Sequence, residues 1–137
     1  MNRTVSDTRR LAEGFIAATE RRDIAAMRQL FDPRAAFWTN VTLADVDLES
    51  RLARIAEEFA LFETFGFEGA RVDAHDGGFL IRAVARGSLP GGKGFDFPVC
   101  IVADVRGGKI VRFEEYLDAT PVAPIFAALA GTATEAG

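Results

Sequence analysis

The run Arg106-Gly107-Gly108-Lys109-Ile110-Val111-Arg112-Phe113-Glu114-Glu115-Tyr116-Leu117-Asp118 decides how the rest of this chain reads. Its paired glycines make a tight turn, and the residues after them alternate as a strand does. An apolar run from Pro98 to Val105 precedes the turn, so the two segments form a hairpin. Alternation puts Val111, Phe113, Glu115 and Leu117 on one face, and Ile110, Arg112, Glu114 and Tyr116 on the other. The first row is apolar except for Glu115. A carboxylate in such a row must be solvated, hydrogen-bonded or protonated. Glu115 is therefore the best single candidate for chemistry. The alternative is a strand-end glutamate that reaches water.

Working back from this hairpin, Phe67 to Ala74, Phe79 to Leu89 and Phe95 to Val105 also read as strands, with Lys109 to Leu117 as the last. Asp76-Gly77-Gly78 and Pro90-Gly91-Gly92-Lys93-Gly94 separate the earlier ones, so the pairings are antiparallel. The first half is helical. A helix begins near Ser6 or Asp7 and turns Leu11, Phe15, Ala18 and Thr19 to one side. Asp23 caps a second helix carrying Ile24, Met27, Leu30 and Phe31, which Asp32-Pro33 ends. Ala35 to Val41 is a short strand. Leu48, Leu52, Ile55, Phe59 and Phe62 mark a third, amphipathic helix, with Asp47 as its cap and Gly66 as its stop; Arg51, Arg54, Glu57 and Glu58 fill its other side. Thr120-Pro121 introduces a last helix, Val122 to Leu129, and Asp118 stops the strand or caps that helix. Helices followed by a strand meander define an α+β domain over residues 1–130, with a flexible tail over 131–137.

Composition narrows the partners. The 137 residues are 49% hydrophobic and include 12 Phe, more than a small core needs. The excess suggests a cavity lining or a subunit interface. The strands are apolar on both faces, so one face packs on the helices and a second subunit is the simplest cover for the other. A net charge of −4 without a basic cluster argues against nucleic acid. One histidine, His75, and one cysteine, Cys100, offer no metal site, no disulfide and no thiol–base pair. Gly91-Gly92-Lys93-Gly94 lacks the strand–loop–helix setting of a phosphate loop, and no dinucleotide fingerprint is present, so no cofactor is expected. No signal peptide or membrane span is read, which leaves the cytoplasm as the expected address.

The order of elements, the Trp38-Thr39-Asn40 strand, the Leu89-Pro90 turn and the Gly107-Gly108-Lys109-Ile110…Glu115-Tyr116-Leu117-Asp118 ending resemble the SnoaL-like group of the nuclear transport factor 2-like superfamily. The resemblance covers Thr8 to Leu129. It implies a cone: a strongly curved antiparallel sheet wrapped around N-terminal helices, a deep apolar pocket at the open end, and a homodimer joined through the outer sheet face. Within that superfamily the chain is similar to limonene-epoxide hydrolase. That family has an aspartate followed by Tyr-Phe-Asp where this chain has Glu115 followed by Tyr116-Leu117-Asp118. Its Tyr-x-Asn meets Trp38-Thr39-Asn40, and its Arg-x-Asp meets Arg82-Ala83-Val84. The resemblance thus keeps Arg82, Asn40 and an acid at Glu115, and replaces the second acid by Val84. Ketosteroid isomerase relatives place an aspartate base near Trp38 to Asn40, where this chain has no acid. The group's cyclases pair an aspartate with a histidine, and here only His75 is present, in a turn.

Two readings of function are open. In the first, Glu115 is an ionised base held by Arg82, with Asn40 and Trp38 ordering water or substrate. The chain is then a cofactor-independent hydrolase or isomerase for a small hydrophobic metabolite. Trp38, Phe59, Phe62, Val84, Phe97, Val99, Phe113 and Leu117 line its pocket, though plain core packing accounts for most phenylalanines. In the second, Arg82 and Glu115 form a buried ion pair without turnover, and the domain binds a hydrophobic ligand or supports a partner protein.

Overall fold

A computed structural model describes residues 3–136. Two helices open the chain, α1 (Arg3–Glu20) and α2 (Ile24–Gln29). α1 starts about a turn before the expected cap. It buries Thr8, Ala12, Phe15, Ala18 and Thr19. The two threonines satisfy their hydroxyls within the helix, on Thr4 O and Phe15 O at 2.8 Å each. α1 ends in a Schellman motif: Asp23 N–H reaches Ala18 O at 2.9 Å, and Arg22 N–H reaches Thr19 O at 3.0 Å. The left-handed position is Arg22, with φ 57° rather than a glycine. Its guanidinium donates to Phe59 O and Phe62 O at 3.0 and 2.7 Å, so the unusual backbone holds the end of the third helix in place.

The rest of the chain comprises β1 (Phe31–Thr39), β2 (Asp45–Asp47), α3 (Leu48–Leu61), β3 (Thr64–His75), β4 (Gly78–Ser88), β5 (Gly94–Arg106), β6 (Lys109–Leu117) and α4 (Ala119–Ala136). The six strands form one sheet in the order β2-β1-β6-β5-β4-β3. Neighbours are antiparallel except β1 and β6, which run parallel. The caps behave as their residue types dictate. Asp23 accepts from Ala26 N–H at 3.0 Å, and Asp47 accepts from Ser50 N–H at 3.2 Å. Asp118 accepts from Thr120 N–H at 2.9 Å and so opens α4.

Several boundaries differ from expectation. β1 begins at Phe31, and Asp32-Pro33 lies inside the strand beside a register shift rather than in a terminator. An irregular strand next to a bulge tolerates a proline that a regular central one would not. Gly66 does not stop α3, which ends at Leu61; it lies within β3. The three-residue β2 had too little length to show a period. α4 takes in most of the segment read as a tail, and Gly137 lies outside the described residues. No helix among the described residues is long and apolar enough to cross a membrane.

The β5–β6 hairpin closes through Gly107 and Gly108 at φ 60° and 76°, the geometry of a two-residue turn with both central residues left-handed. One register detail decides where the last strand aims its side chains. The β5–β6 pairing slips between Asp104 and Val105: Arg106 pairs with Lys109 and Val105 with Ile110, but Asp104 pairs with Arg112. Val111 is the extra residue of this bulge. From there on, inner and outer faces are exchanged relative to an unbroken ladder.

Candidate functional site

Beyond the bulge, Glu115 pairs with Ile101, Ile101 with Ile81, and Thr39 with Glu115. Ile81 and Ile101 are fully buried, so this row faces the helices. Phe113 lies on the same face two residues earlier and is 2% exposed. Glu115 therefore points into the body of the domain, as the apolar row implied.

Arg82 does not join it. It pairs in register with Cys100, which pairs with Tyr116. That row belongs to the outer face. Arg82 is exposed and forms a 2.7 Å salt bridge with Asp73. The expected Glu115–Arg82 pair is absent because the Val111 bulge turns the two side chains to opposite sides of the sheet. Val84 shares the outer face with Arg82 and is not part of the cavity lining, since the two lie two residues apart on β4. Asn40 is exposed, and its side chain is committed to the backbone. Its amide donates to Leu117 O at 2.8 Å and its oxygen accepts from Leu117 N–H at 2.9 Å. It ties the end of β1 to β6 beside Glu115 rather than offering groups to the cavity.

The inner face opens into a cavity of about 300 Å³ between the sheet, α3 and α4. Phe59, Phe62, Phe97, Val99, Phe113, Leu117 and Glu115 line it, as does Trp38 at its margin. Trp38 pairs with Glu114 on the outer face and packs its ring on Tyr116 at 5.1 Å. Two aromatic groups close the walls. Phe15, Phe31, Phe37 and Phe113 meet at centroid distances of 4.8 to 6.4 Å. Phe62 stacks on Phe65 at 5.3 Å and packs on Phe95 at 5.0 Å. Ile125 and Phe126 of α4 cover the opposite side.

α3 adds polar residues that the sequence reading set on the side of the helix away from its apolar stripe. Arg51, Arg54 and Glu58 line the cavity together with Glu115. Glu58 is only 19% exposed and lies 3.7 Å from Arg51, itself 25% exposed. Burial pushes its carboxyl above the ordinary glutamate range; Arg51 pulls it back, and the charge on Glu115 raises it further. The two carboxylates thus share one electrostatic environment. The signal for Glu58 was present. Arg51 and Glu58 recur at helical spacing with Ile55 and Phe62 of the apolar stripe, so that stripe is wider than its hydrophobic members. Among the described residues, no three His, Cys, Asp or Glu side chains gather as a metal site.

The sequence model of the SnoaL-like domain matches residues 12–113, well over half of the chain, and the chain belongs to that family. The match includes Glu58 and ends before Glu115. No curated protein matches this chain. Among solved structures, a candidate isomerase from Bacillus subtilis is 18% identical, with 93% of this chain and 96% of that one covered and a TM-score of 0.77. IdmH, a candidate polyketide cyclase from Streptomyces antibioticus, is 20% identical over 90% and 98% of the two chains, with a TM-score of 0.74. An NTF2-like protein from Burkholderia xenovorans is 17% identical over 88% and 95%, with a TM-score of 0.71. At these identities the likeness establishes the fold: an open, curved six-stranded NTF2-like sheet carrying N-terminal helices.

Proposed function

We propose that this SnoaL-like domain is a cofactor-independent enzyme that moves protons on a small hydrophobic metabolite, with Glu115 as its base. Hydrolysis and isomerisation or cyclisation are the reaction classes in view. The observation that carries the reading is the position of Glu115 on the cavity wall between Phe113 and Leu117. A carboxylate there meets an apolar ligand out of bulk water, where proton abstraction is favoured over exchange with solvent. The candidate isomerase and candidate cyclase among the structural neighbours are compatible with such chemistry. A nitrobenzisoxazole is a suitable probe, because its ring opens when a base removes one carbon-bound proton. Glu115→Gln is expected to slow this opening by at least about 10²-fold. Turnover unchanged in the variant would refute the reading.

A non-catalytic ligand-binding role is the second reading, and the engagement of Arg82 by Asp73 favours it. Without that arginine, Glu115 loses the partner that the epoxide-hydrolase resemblance would supply. The same test separates the two readings.

A homodimer through the outer sheet face belongs to this proposal. Leu80, Val84, Pro98, Val102 and Tyr116 share that face, and Tyr116 is 41% exposed. Arg82–Asp73 and Arg86–Glu68 pairs border the band. An apolar band with a charged rim is the usual anatomy of a self-association surface. Val102→Arg is expected to yield monomers by sedimentation equilibrium, and an unshifted mass would rule this surface out. The single cysteine, Cys100, is free and suits a reducing compartment such as the cytoplasm.

A further inference from the structure

We infer that Arg51 and Arg54 form an anion-binding pole on the cavity wall, so that the ligand is an apolar molecule carrying a carboxylate. The inference concerns what the cavity holds, and it stands whether or not Glu115 turns that ligand over. Both arginines line the cavity. They lie three residues apart on α3, with Glu58 four residues further on, so all three project from one side of the helix. Ile55, Phe59 and Phe62 of the same helix make the wall around them apolar. α3 is fixed at both ends, by Asp47 at its start and by the Arg22 guanidinium on Phe59 O and Phe62 O at its close. A guanidinium keeps its charge in such a setting and therefore requires an acceptor.

The protein supplies that acceptor poorly. Other arginines of the chain are settled: Arg28 holds Glu49 through two hydrogen bonds of 3.1 and 2.9 Å, and Arg22 holds two carbonyl oxygens. Among the described residues, the ion pair of Arg51 is with Glu58 at 3.7 Å, too long for a hydrogen bond. Arg54 makes a single contact of 3.3 Å with Glu57, which is exposed. An exposed pair of that kind contributes little and gives way to a better-placed anion. Burial makes Glu58 hold its proton more tightly than an ordinary glutamate does, so it balances Arg51 only in part. Nearby hydroxyls are already committed, Ser50 to Asp47 at 2.6 Å and Thr19 to Phe15 O at 2.8 Å. The guanidiniums are thus the charged donors left facing a ligand, and their planar forks match the two oxygens of a carboxylate. Glu115 repels a second negative charge, so the ligand's carboxylate lies on the α3 side and its apolar body against Phe113 and Leu117.

Three probes of one shape and different charge test this by isothermal calorimetry: 2-naphthoate, 2-naphthylmethanol and 2-naphthylmethylamine. A cavity of about 300 Å³ suits a two-ring body. The parent protein is expected to bind the naphthoate at least about 10-fold more tightly than the alcohol or the amine. Equal affinity for acid and alcohol, a preference for the amine, or failure to bind the naphthoate would each overturn the proposal. Arg51→Met and Arg54→Met should each remove most of that preference while leaving the alcohol bound as in the parent. Arg51→Lys, which keeps the charge and loses the fork, should fall between the parent and Arg51→Met. An equal loss of acid and alcohol in both Met variants would assign the arginines to cavity structure and overturn the ligand class. An undiminished preference in both would overturn it as well. Should Arg51→Met fold poorly, Arg54→Met, whose partner is exposed, and the parent's own preference still decide the question. Calorimetry reads no turnover, so its result stands apart from the Glu115 assignment.

Discussion

Glu58→Gln is expected to stabilise the protein at neutral and alkaline pH and to have a shrinking effect toward about pH 4. The folded state holds the Glu58 proton more tightly than the unfolded chain does, because burial disfavours the charged form. Below the unfolded glutamate pKa, about 4.3, both states are protonated and the group imposes no penalty. As pH rises past that value, the unfolded chain ionises freely while the folded carboxyl resists. Stability falls until the pH passes the folded pKa, and then levels off. A glutamine has no such dependence. Each unit by which the folded pKa is raised corresponds to about 1.4 kcal/mol at the plateau. For 137 residues, unfolding entropy near about 2.1 cal/mol/K per residue gives about 0.3 kcal/mol per kelvin. Each unit should therefore open a gap of about 5 °C in Tm between the variant and its parent. Arg51, 3.7 Å away, pulls in the other direction, but burial is the larger influence. Any constant offset from leaving Arg51 unpaired cancels when the gap is compared across pH. The assay is thermal unfolding of both proteins from about pH 4 to pH 9, followed by circular dichroism. Parallel curves, or a gap that closes as pH rises, would refute the burial argument.

Other substitutions test the rest of the site. Arg82→Ala should change stability by no more than about 1 kcal/mol and leave nitrobenzisoxazole turnover unaltered, because its pair with Asp73 is exposed; a large loss of activity would contradict its outer placement. Phe113→Ala removes a ring that touches Phe15, Phe31 and Phe37, and should destabilise by about 3–5 kcal/mol in urea unfolding. Asn40→Ala severs both hydrogen bonds to the Leu117 backbone. It should weaken the fold by about 1–2 kcal/mol and speed hydrogen exchange at the Leu117 amide; an unchanged exchange rate would show that the clamp is idle.

The strands and their inner alternation were legible because a half-buried strand writes its burial into every second residue. Phe113, Glu115 and Leu117 fall on the inner face as the last strand's pattern implied. α3 was legible for the same reason at the helical period, and Asp23 and Asp47 because a short acidic side chain before an apolar run has a donor to meet. Glu58 escaped because its charge groups it with Arg51, Arg54 and Glu57 on the side away from the apolar stripe. Its side chain is polar, but its position on the cylinder beside Ile55 and Phe62 decided its burial. The parallel β1–β6 pair escaped because pairing between strands far apart in sequence leaves no local mark.

Arg82 was missed for a reason that reaches furthest. Within β4, alternation gives its row without ambiguity. Within β6, alternation gives the Glu115 row equally well. What joins the two rows is the register across β5, and there a single inserted residue is decisive. An unbroken ladder from the Gly107-Gly108 turn would set Glu115 opposite Cys100, and Cys100 pairs with Arg82. Acid and arginine would then share a face, as the epoxide-hydrolase pattern requires. The slip between Asp104 and Val105 moves the partner of Glu115 to Ile101 and sends the acid inward alone. The same bulge lets both Ile110 and Phe113 be buried, at 0% and 2% exposure, although an unbroken strand would turn them to opposite faces. Burial of those two side chains is thus what fixes the bulge, and the bulge fixes the chemistry available to Glu115. Parted from the sheet's arginine, this carboxylate has its nearest acidic neighbour in the cavity on α3 instead. A carboxyl supplied by a helix can be exchanged without disturbing the sheet, so the charge around Glu115 can be altered from α3 while β6 keeps its register.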